Sequence, residues 1–178
     1  MKARSLPAAI VLICLLMARL SFAQEAEKPM LVHTHNEFAF TVHAPMEKTF
    51  PLFGAIEEKK WAEGWEPEVL YPSPAKDQLG MVFRVAHPHM SSVWTCTAFD
   101  PASGHVQYVY YVSDALVTSI DIHLTQSDNA ETHVSVLYER TALTSGANEH
   151  VALMAQADAH AGPHWAEMIN KSLGKMPN

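Results

Sequence analysis

Seven stretches of alternating apolar and polar residues, followed by one long helical stretch, constrain the fold of this chain most strongly. From about Asn36 onward the order is one strand, a short helical region, six more strands and a C-terminal helix. Alternation with a period of two gives each strand one dry and one wet face, which is typical of antiparallel sheets. The pattern predicts an α+β fold: a seven-stranded antiparallel sheet curled around a long C-terminal helix, with two short helices between strands 1 and 2.

The inward face of each strand follows from this alternation. The first strand presents Phe38, Phe40 and Val42. It ends before Pro45, because proline cannot donate a ladder hydrogen bond, and a shorter strand covers residues 66–71. The predicted inward positions of the other five strands are Met81, Phe83 and Val85; Trp94, Cys96 and Ala98; Val106, Tyr108, Tyr110 and Val112; Ile120, Ile122 and Leu124; and Val134, Val136 and Tyr138. The predicted outward positions are polar: Arg84, Gln107, Ser119, Asp121, His123, His133, Ser135 and Glu139.

The C-terminal helix is predicted from about Ala147 to Leu173 by an apolar stripe at helical spacing. The stripe consists of Val151, Met154, Ala157, Ala161, Trp165, Met168 and Ile169. Gly162-Pro163 lies inside it. Because a proline ring clashes with the carbonyl four residues earlier and removes one hydrogen bond, we expect a bend there.

The first residues have the pattern of a secretory signal peptide: residues 1–23 combine a basic start, an apolar run and small residues at the end. We predict cleavage before Gln24, then a flexible lead-in over residues 24–35 and one folded domain over residues 36–174. A retained membrane anchor is disfavoured, because Arg19 interrupts the apolar run before it reaches about twenty residues. The pattern predicts secretion, into the periplasm if the source is a bacterium, with no stable membrane anchor after cleavage.

The net charge argues against two classes of partner, and the cysteine content excludes an intramolecular disulfide. Cleavage would remove three of the 12 Lys and Arg and none of the 19 Asp and Glu, which leaves a strongly acidic protein. Such a surface repels nucleic acid and anionic lipid headgroups, so neither is an expected partner. Only Cys96 would remain of the two cysteines, so no intramolecular disulfide can form, and we expect its thiol to be buried and inert.

A packing argument predicts a cavity. One helix is about 10 Å wide, whereas a sheet with seven strands spaced about 4.8 Å apart is much wider. The sheet must therefore curl around the helix. Curling leaves space between the two layers, which either large side chains or a ligand must fill.

Several local segments accompany this order and carry a resemblance. They are the strand ending in Ala44-Pro45, Phe50-Pro-Leu-Phe53-Gly54, Trp61-Ala-Glu-Gly64-Trp65-Glu-Pro67, Gly80 before a strand, Trp94, Asp100-Pro101 and the closing helix. Over about residues 36–174 the chain resembles bacterial members of the START-like, or polyketide cyclase/lipid transport (SRPBCC), superfamily with the helix-grip fold. The resemblance implies an apolar cavity that binds sterols, lipids, hormones or polyketides, with catalysis of cyclisation or hydrolysis in a few members. It supplies no catalytic residues that could be carried over to this chain.

Nine residues are the candidates for the cavity wall. Trp94, Tyr108, Tyr110 and Tyr138 fall on inward positions and offer polar tips in an apolar space. Trp61 and Trp65 either fix the short helices to the sheet or line the cavity mouth, and aromatic residues serve more often as core than as contact. The other candidates complete the wall: Phe83, Met154 and Trp165.

Eleven histidines are the compositional oddity of this chain. Three pairs have spacings found in metal sites: His33 with His35, His87 with His89, and His160 with His164. None of the pairs has an evident third ligand or a recognisable metal motif, so we predict no metal site and no cofactor. A further pair, His123 and His133, is about equidistant from the turn at Asp128 and could face each other on the wet side of a hairpin, although two ordinary exposed imidazoles are the preferred interpretation.

No catalytic constellation is evident. Ser119, Asp121 and His123 alternate on one strand face, but such residues stand about 7 Å apart, too far for a hydrogen-bonded relay. The run from Glu57 to Lys60 is typical of a solvated helix face.

The sequence therefore predicts an exported protein that binds a hydrophobic small molecule or lipid and performs no chemistry. One alternative is a cyclase or hydrolase that acts on an apolar substrate in the same cavity, with Tyr108, Tyr110 or His87 orienting it. Another is a partner-binding protein whose cavity is packed shut.

Overall fold

The computed structural model describes residues 30–88, 90–127 and 130–175, so the predicted signal peptide and its cleavage site lie outside the described residues. The strands are β1 (His33–Val42), β2 (Pro67–Tyr71), β3 (Val82–His87), β4 (Met90–Asp100), β5 (His105–Val112), β6 (Leu116–Gln126) and β7 (Thr132–Ala142). The helices are α1 (Met46–Thr49), α2 (Asn148–Asp158) and α3 (Ala161–Leu173). Single 3₁₀ turns lie at Phe50–Phe53, Glu57–Lys60 and Ser145–Ala147.

The strands form one antiparallel sheet in the order β1-β7-β6-β5-β4-β3-β2, so β1 and β2 are its edges. The predicted seven-stranded antiparallel sheet, with short helical segments between its first two strands, is confirmed. β1 begins at His33, which is three residues earlier than the domain boundary predicted from the sequence.

The inward faces match the alternation at every predicted position except Ala98. A bulge between Cys96 and Ala98 shifts the register of β4 against β5. Ala98 therefore lies opposite the outward Gln107, whereas Phe99 takes the inward position and packs on Phe50 with ring centres 5.0 Å apart. An extra residue in one strand reverses the alternation beyond it, and no feature of the local sequence indicated this one.

The C-terminal helix is interrupted where the sequence predicted only a bend. α2 ends at Asp158 and α3 begins at Ala161, so the break precedes Pro163. Proline then occupies the first turn of α3, where an amide hydrogen has no acceptor within the helix and its loss costs little. The clash between the Pro163 ring and the carbonyl four residues earlier therefore divides the helix in two, where the sequence predicted that it would only bend it.

Helix α3 packs along edge strand β1. A Cβ built on Gly162 would lie 3.3 Å from the Ala39 carbonyl oxygen, which shows how closely the two backbones approach. The Asn170 side-chain oxygen accepts a hydrogen bond of 2.8 Å from the His43 amide. Its amide nitrogen donates to the Thr41 carbonyl at 3.4 Å. The helix thus covers polar backbone groups that an edge strand would leave without partners.

Among the helices of the described residues, none combines the length and the apolar character that crossing a membrane requires.

Candidate ligand-binding site

Two tryptophans lie in the region of short helical segments between β1 and β2. The Trp61 indole donates to the Leu52 carbonyl at 2.7 Å, and the Trp65 indole donates to the Ala55 carbonyl at 2.8 Å. Both polar tips are therefore satisfied by backbone oxygens within this region. The Trp65 ring also contacts Phe83 on β3, as expected for the first of its two predicted roles, that of fixing the short helices to the sheet.

Tyr108 has a similar role from the sheet side. Its hydroxyl donates to the Phe53 carbonyl and accepts from the Ala55 amide, each at 3.1 Å. The side chain is buried, and burial raises the pKa of Tyr108 well above its ordinary value. Because both hydrogen bonds are made to the backbone, this hydroxyl is already engaged and is not free to orient a substrate.

The eight aromatic residues of the predicted wall fall into two clusters. The β3–β5 cluster is centred on Trp94, which stacks on Tyr110 with ring centres 4.1 Å apart and also contacts Trp65, Phe83 and Tyr108. The α3 cluster is centred on Trp165, which contacts Trp61 at 5.3 Å and Phe38 and Phe40 at 5.5 and 6.2 Å. Tyr138 joins the α3 cluster through Phe38. Part of the space between sheet and helices is thus filled by aromatic side chains.

A cavity of about 340 Å³ remains between the sheet and α2, and we call it the α2 cavity. Three of the nine predicted residues line it: Trp94, Tyr110 and Met154. The remaining lining residues are His87, Met90, Ser92, Val112, Leu116 and His150. Most of this lining is apolar, and the imidazoles of His87 and His150 are among its polar groups.

A smaller cavity of about 240 Å³ lies between α3 and the second 3₁₀ turn, and we call it the α3 cavity. Trp61 and Trp165 from the predicted set line it, together with Glu58, Ala62, Glu63, His164 and Met168. The four predicted residues that line neither cavity are Trp65, Phe83, Tyr108 and Tyr138. All four pack within the aromatic clusters.

Glu58 is the most unusual group in the α3 cavity. The run from Glu57 to Lys60 is predicted to be a solvated helix face, which Glu57 and Lys60 fit through their ion pair, whereas Glu58 lines the cavity. Burial, and to a lesser degree the nearby Asp77 carboxylate, raises the pKa of Glu58 to about 8. A carboxyl with such a pKa is mostly protonated at neutral pH and can donate a proton.

Asp77 connects the loop before β3 to the short helical segments. Its carboxylate accepts a hydrogen bond of 3.0 Å from the Ile56 amide. Burial raises the pKa of Asp77, although hydrogen bonds from the Ile56 and Glu57 amides partly oppose the rise. A cavity of about 500 Å³ borders Asp77 and these segments, lined by Met46, Glu47, Phe50, Pro51, Glu57, Lys76, Asp77, Phe99 and Pro101. Since α2 and α3 contribute none of these residues, it is separate from the sheet-to-helix space that the fold predicts for a ligand.

Arg140 places a charge on the inward face of β7, which the sequence analysis did not detect. Its guanidinium donates to Asp158 at 2.5 Å and to the Thr118 hydroxyl at 3.2 Å, and it lies 5.1 Å from the centre of the Tyr138 ring. Burial opposes the charged form, but hydrogen bonds with Asp158 and Tyr110 raise the pKa of Arg140 above its ordinary value. The period of β7 could have indicated an inward position for residue 140, but its partner on α2 could not be inferred.

The paired histidines of β1 contact side chains of the neighbouring strand. His33 contacts the Thr141 hydroxyl at 2.9 Å and His35 contacts Glu139 at 3.5 Å, both on β7. The pairing of His123 with His133 is wrong, because His123 lies opposite Ser135 and His133 lies opposite Thr125. The error arose because the hairpin is centred one residue later than the sequence suggested, which offsets the two side chains.

Comparison with known proteins adds information on the fold. No family model matches the chain, and no curated protein matches it. Among solved structures, norcoclaurine synthase from Thalictrum flavum in complex with dopamine and hydroxybenzaldehyde aligns with a TM-score of 0.62, at 11% identity over 83% of this chain and 90% of that chain. The Zhui aromatase/cyclase of a Streptomyces species aligns with a TM-score of 0.60, at 13% identity over 81% of this chain and 95% of that chain.

A third structure, Ara h 8.0201, aligns with a TM-score of 0.58, at 15% identity over 81% of this chain and all of that chain. Such low identities show a shared fold alone. This chain has the helix-grip fold. The resemblance inferred from the order of segments is therefore confirmed at the level of the fold.

Proposed function

We propose that this helix-grip protein binds a hydrophobic small molecule or lipid in the α2 cavity. The observation that carries the proposal is the position of that cavity between the sheet and α2, with Trp94, Tyr110 and Met154 in its wall. Apolar walls with a few polar groups are typical of small-molecule sites. The volume of about 340 Å³ lies at the lower end of the range of about 300–1,000 Å³ common for such sites.

The structural neighbours support a small-molecule role. One is a synthase in complex with dopamine and hydroxybenzaldehyde, and another is an aromatase/cyclase. Both names refer to proteins that handle small organic molecules. Their fold is shared with this chain, whereas their substrates are not transferred to it.

The test is to identify what the purified protein carries. Native mass spectrometry, with organic extraction of the same sample, should show a bound small molecule. Titration with a fluorescent fatty acid should then change the tryptophan emission, because Trp94 lies in the cavity wall. A protein that carries nothing and shows no emission change with lipid or aromatic probes would contradict the proposal and favour a cavity that is packed shut.

Glu58 favours a second candidate function, a cyclase or hydrolase that acts on an apolar substrate. A carboxyl with a pKa of about 8, in a cavity lined by Trp61 and Trp165, can act as a general acid beside a bound apolar molecule. Turnover of an apolar ester or polyketide analogue that is lost in Glu58→Gln, but kept in Glu63→Gln, would support this function. Glu63 is a suitable control because it is an exposed carboxylate in the same cavity wall.

We propose further that the protein is exported. The support is the sequence of residues 1–23, with its basic start, apolar run and small residues before Gln24. Expression of the full chain in a bacterium should yield periplasmic protein with Gln24 at its N-terminus, measured by intact mass. Retention of residues 1–23 in a cytoplasmic protein would contradict export.

A further inference from the structure

The outward face of β5 and β6 brings two histidines and one aspartate together. His105 Nε2 lies 2.7 Å from Asp121 Oδ1, and His123 Nε2 lies 3.4 Å from the same oxygen. The two imidazole rings stack with centres 4.4 Å apart and planes inclined by only 5°. One ligand atom from each of the three side chains lies within 4.8 Å of the other two.

The strand register explains this convergence. His105 lies directly opposite His123 in the antiparallel pair of β5 and β6. Asp121 lies two residues before His123 on β6, so both side chains project from the same face of the sheet. Side chains that are opposite or diagonal across two strands are close enough to share one small ligand.

We propose that His105, Asp121 and His123 form a binding site for a divalent transition-metal ion, with Zn²⁺ as the best match. Two imidazole nitrogens and one carboxylate oxygen are a common Zn²⁺ ligand set, and a water molecule can occupy the fourth position. Imidazole donors favour Zn²⁺ and Cu²⁺ over Mg²⁺ and Ca²⁺, which prefer shells of oxygen. The three atoms need small rotamer adjustments to reach metal-ligand distances of about 2.0–2.2 Å.

The surroundings of the site favour a cation. Asp100 lies directly opposite His105 on the other side of β5 and adds a negative charge nearby. Its own carboxylate accepts hydrogen bonds from the Ser103 hydroxyl at 2.6 Å and the Ala102 amide at 3.0 Å, so we do not assign it as a ligand. Side-chain exposures of 30%, 26% and 55% for His105, Asp121 and His123 leave the site accessible from solvent.

The site is separate from the proposed ligand cavity. Its side chains project outward, whereas the adjacent Ile120 and Ile122 project inward and are buried. Metal binding and hydrophobic ligand binding should therefore fail or succeed independently of each other.

The test is titration of the purified protein, without a histidine tag, with Zn²⁺, measured by isothermal titration calorimetry. We expect one Zn²⁺ per chain in the tightest phase. His105→Gln and Asp121→Asn should each weaken that phase by more than the roughly 10- to 100-fold that loss of an outer-shell partner costs. Titration with Co²⁺ should produce visible absorption bands of a four-coordinate ion, and Mg²⁺ in excess should not displace Zn²⁺.

His160→Gln is the matched control, because His160 is an exposed histidine just before α3, away from the β5–β6 face, and does not belong to the cluster. It should keep the Zn²⁺ affinity of the unaltered protein. Circular dichroism of each variant verifies that it is folded. Absence of a one-to-one phase, or its survival in the double variant of His105→Gln and His123→Gln, would overturn the proposal, whatever the outcome of the lipid titrations.

Discussion

At the residue scale, several polar side chains in the interior of this domain are held by specific partners. Arg140 is 2% exposed and Asp158 is 14% exposed, and their ion pair joins β7 to the C-terminal end of α2. The Tyr108 hydroxyl and both indole nitrogens of Trp61 and Trp65 are bound by backbone groups. Buried polar groups of this kind select one packing arrangement, since any other would leave them without partners.

The Arg140–Asp158 pair leads to a prediction on stability. Asp158→Ala should lower the free energy of unfolding by about 3–5 kcal/mol, because it leaves a buried guanidinium without its counter-charge. Arg140→Met combined with Asp158→Leu should recover much of that loss, since an apolar pair of similar volume needs no counter-charge. Urea denaturation measures both.

The control is the exposed pair of Arg84 and Glu68, whose side chains are 46% and 63% exposed. Glu68→Ala should change the free energy of unfolding by at most about 1 kcal/mol. Equal losses in the free energy of unfolding at the two sites would show that the ion pair of Arg140 with Asp158 contributes little to stability.

Glu58 leads to a prediction on pH. Its pKa is raised from 4.5 to about 8 on folding, so the folded state binds a proton that the unfolded state has released between these values. The contribution of Glu58 to stability is therefore present below pH 4.5 and is lost as the pH rises toward about 8. Glu58→Gln should flatten this part of the stability profile, measured by urea denaturation across the interval.

Glu63→Gln, an exposed carboxylate change in the same segment, should retain the slope of the unaltered protein. A Glu58→Gln profile that runs parallel to that of the unaltered protein would show that Glu58 is ionised in the folded state at neutral pH.

At the element scale, turns and irregularities decide how regular segments meet. The bulge in β4 turns Phe99 inward, and the division of the C-terminal helix places Pro163 in the first turn of α3. Between β4 and β5 the chain reverses at Gly104, whose φ is +69°. Its carbonyl accepts a hydrogen bond of 2.8 Å from the Leu124 amide, so this turn also contacts β6.

Gly104 leads to a prediction on packing at this turn. A Cβ on Gly104 would lie 2.2 Å from the Leu124 carbonyl oxygen, a backbone atom that cannot move aside independently. Gly104→Ala should therefore cost about 1–2 kcal/mol for the left-handed backbone and about 1–3 kcal/mol more for the clash. Chemical denaturation measures the total.

Gly64→Ala separates the two contributions. Gly64 has a similar φ of +76° but no atom within 4 Å of a Cβ, so only the backbone cost applies. If both variants lose the same stability, the close approach at Gly104 has no energetic consequence.

At the scale of the whole molecule, the width of the sheet and the width of the helices determine where space remains. Aromatic clusters around Trp94 and Trp165 fill part of the interior, and the α2 and α3 cavities of about 340 and 240 Å³ remain. Of the two, the α2 cavity lies in the sheet-to-helix space that these widths predict, whereas the α3 cavity lies between α3 and a 3₁₀ turn. The widths do not specify how large side chains divide the interior.

The α2 cavity leads to a prediction on ligand binding. Met154→Trp should fill much of the cavity and weaken binding of a fluorescent fatty acid by at least about tenfold, the equivalent of 1.4 kcal/mol. The thermal midpoint should stay the same or rise, because the larger side chain enters existing space. Leu153→Trp is the control, since Leu153 is 55% exposed on the same helix and lines neither cavity. Equal binding by the two variants would place the ligand elsewhere.

The strands, their order along the chain and nearly all of their inward faces could be predicted from the sequence. These features depend on local periodicity, which each segment carries whatever its neighbours are. The alternation within β4 also predicted that Cys96 is buried, which the structure confirms.

Contacts between residues far apart in the chain could not be predicted and became visible in the folded structure. Glu58 lines the α3 cavity. Arg140 of β7 forms an ion pair with Asp158 of α2. His105 stacks on His123, and both imidazoles lie close to Asp121. Each of these contacts depends on strand register, on the position of a bulge or on the packing of a helix. Such contacts are formed between segments far apart in the chain, and a shift of one residue changes them while leaving the local pattern of every segment intact.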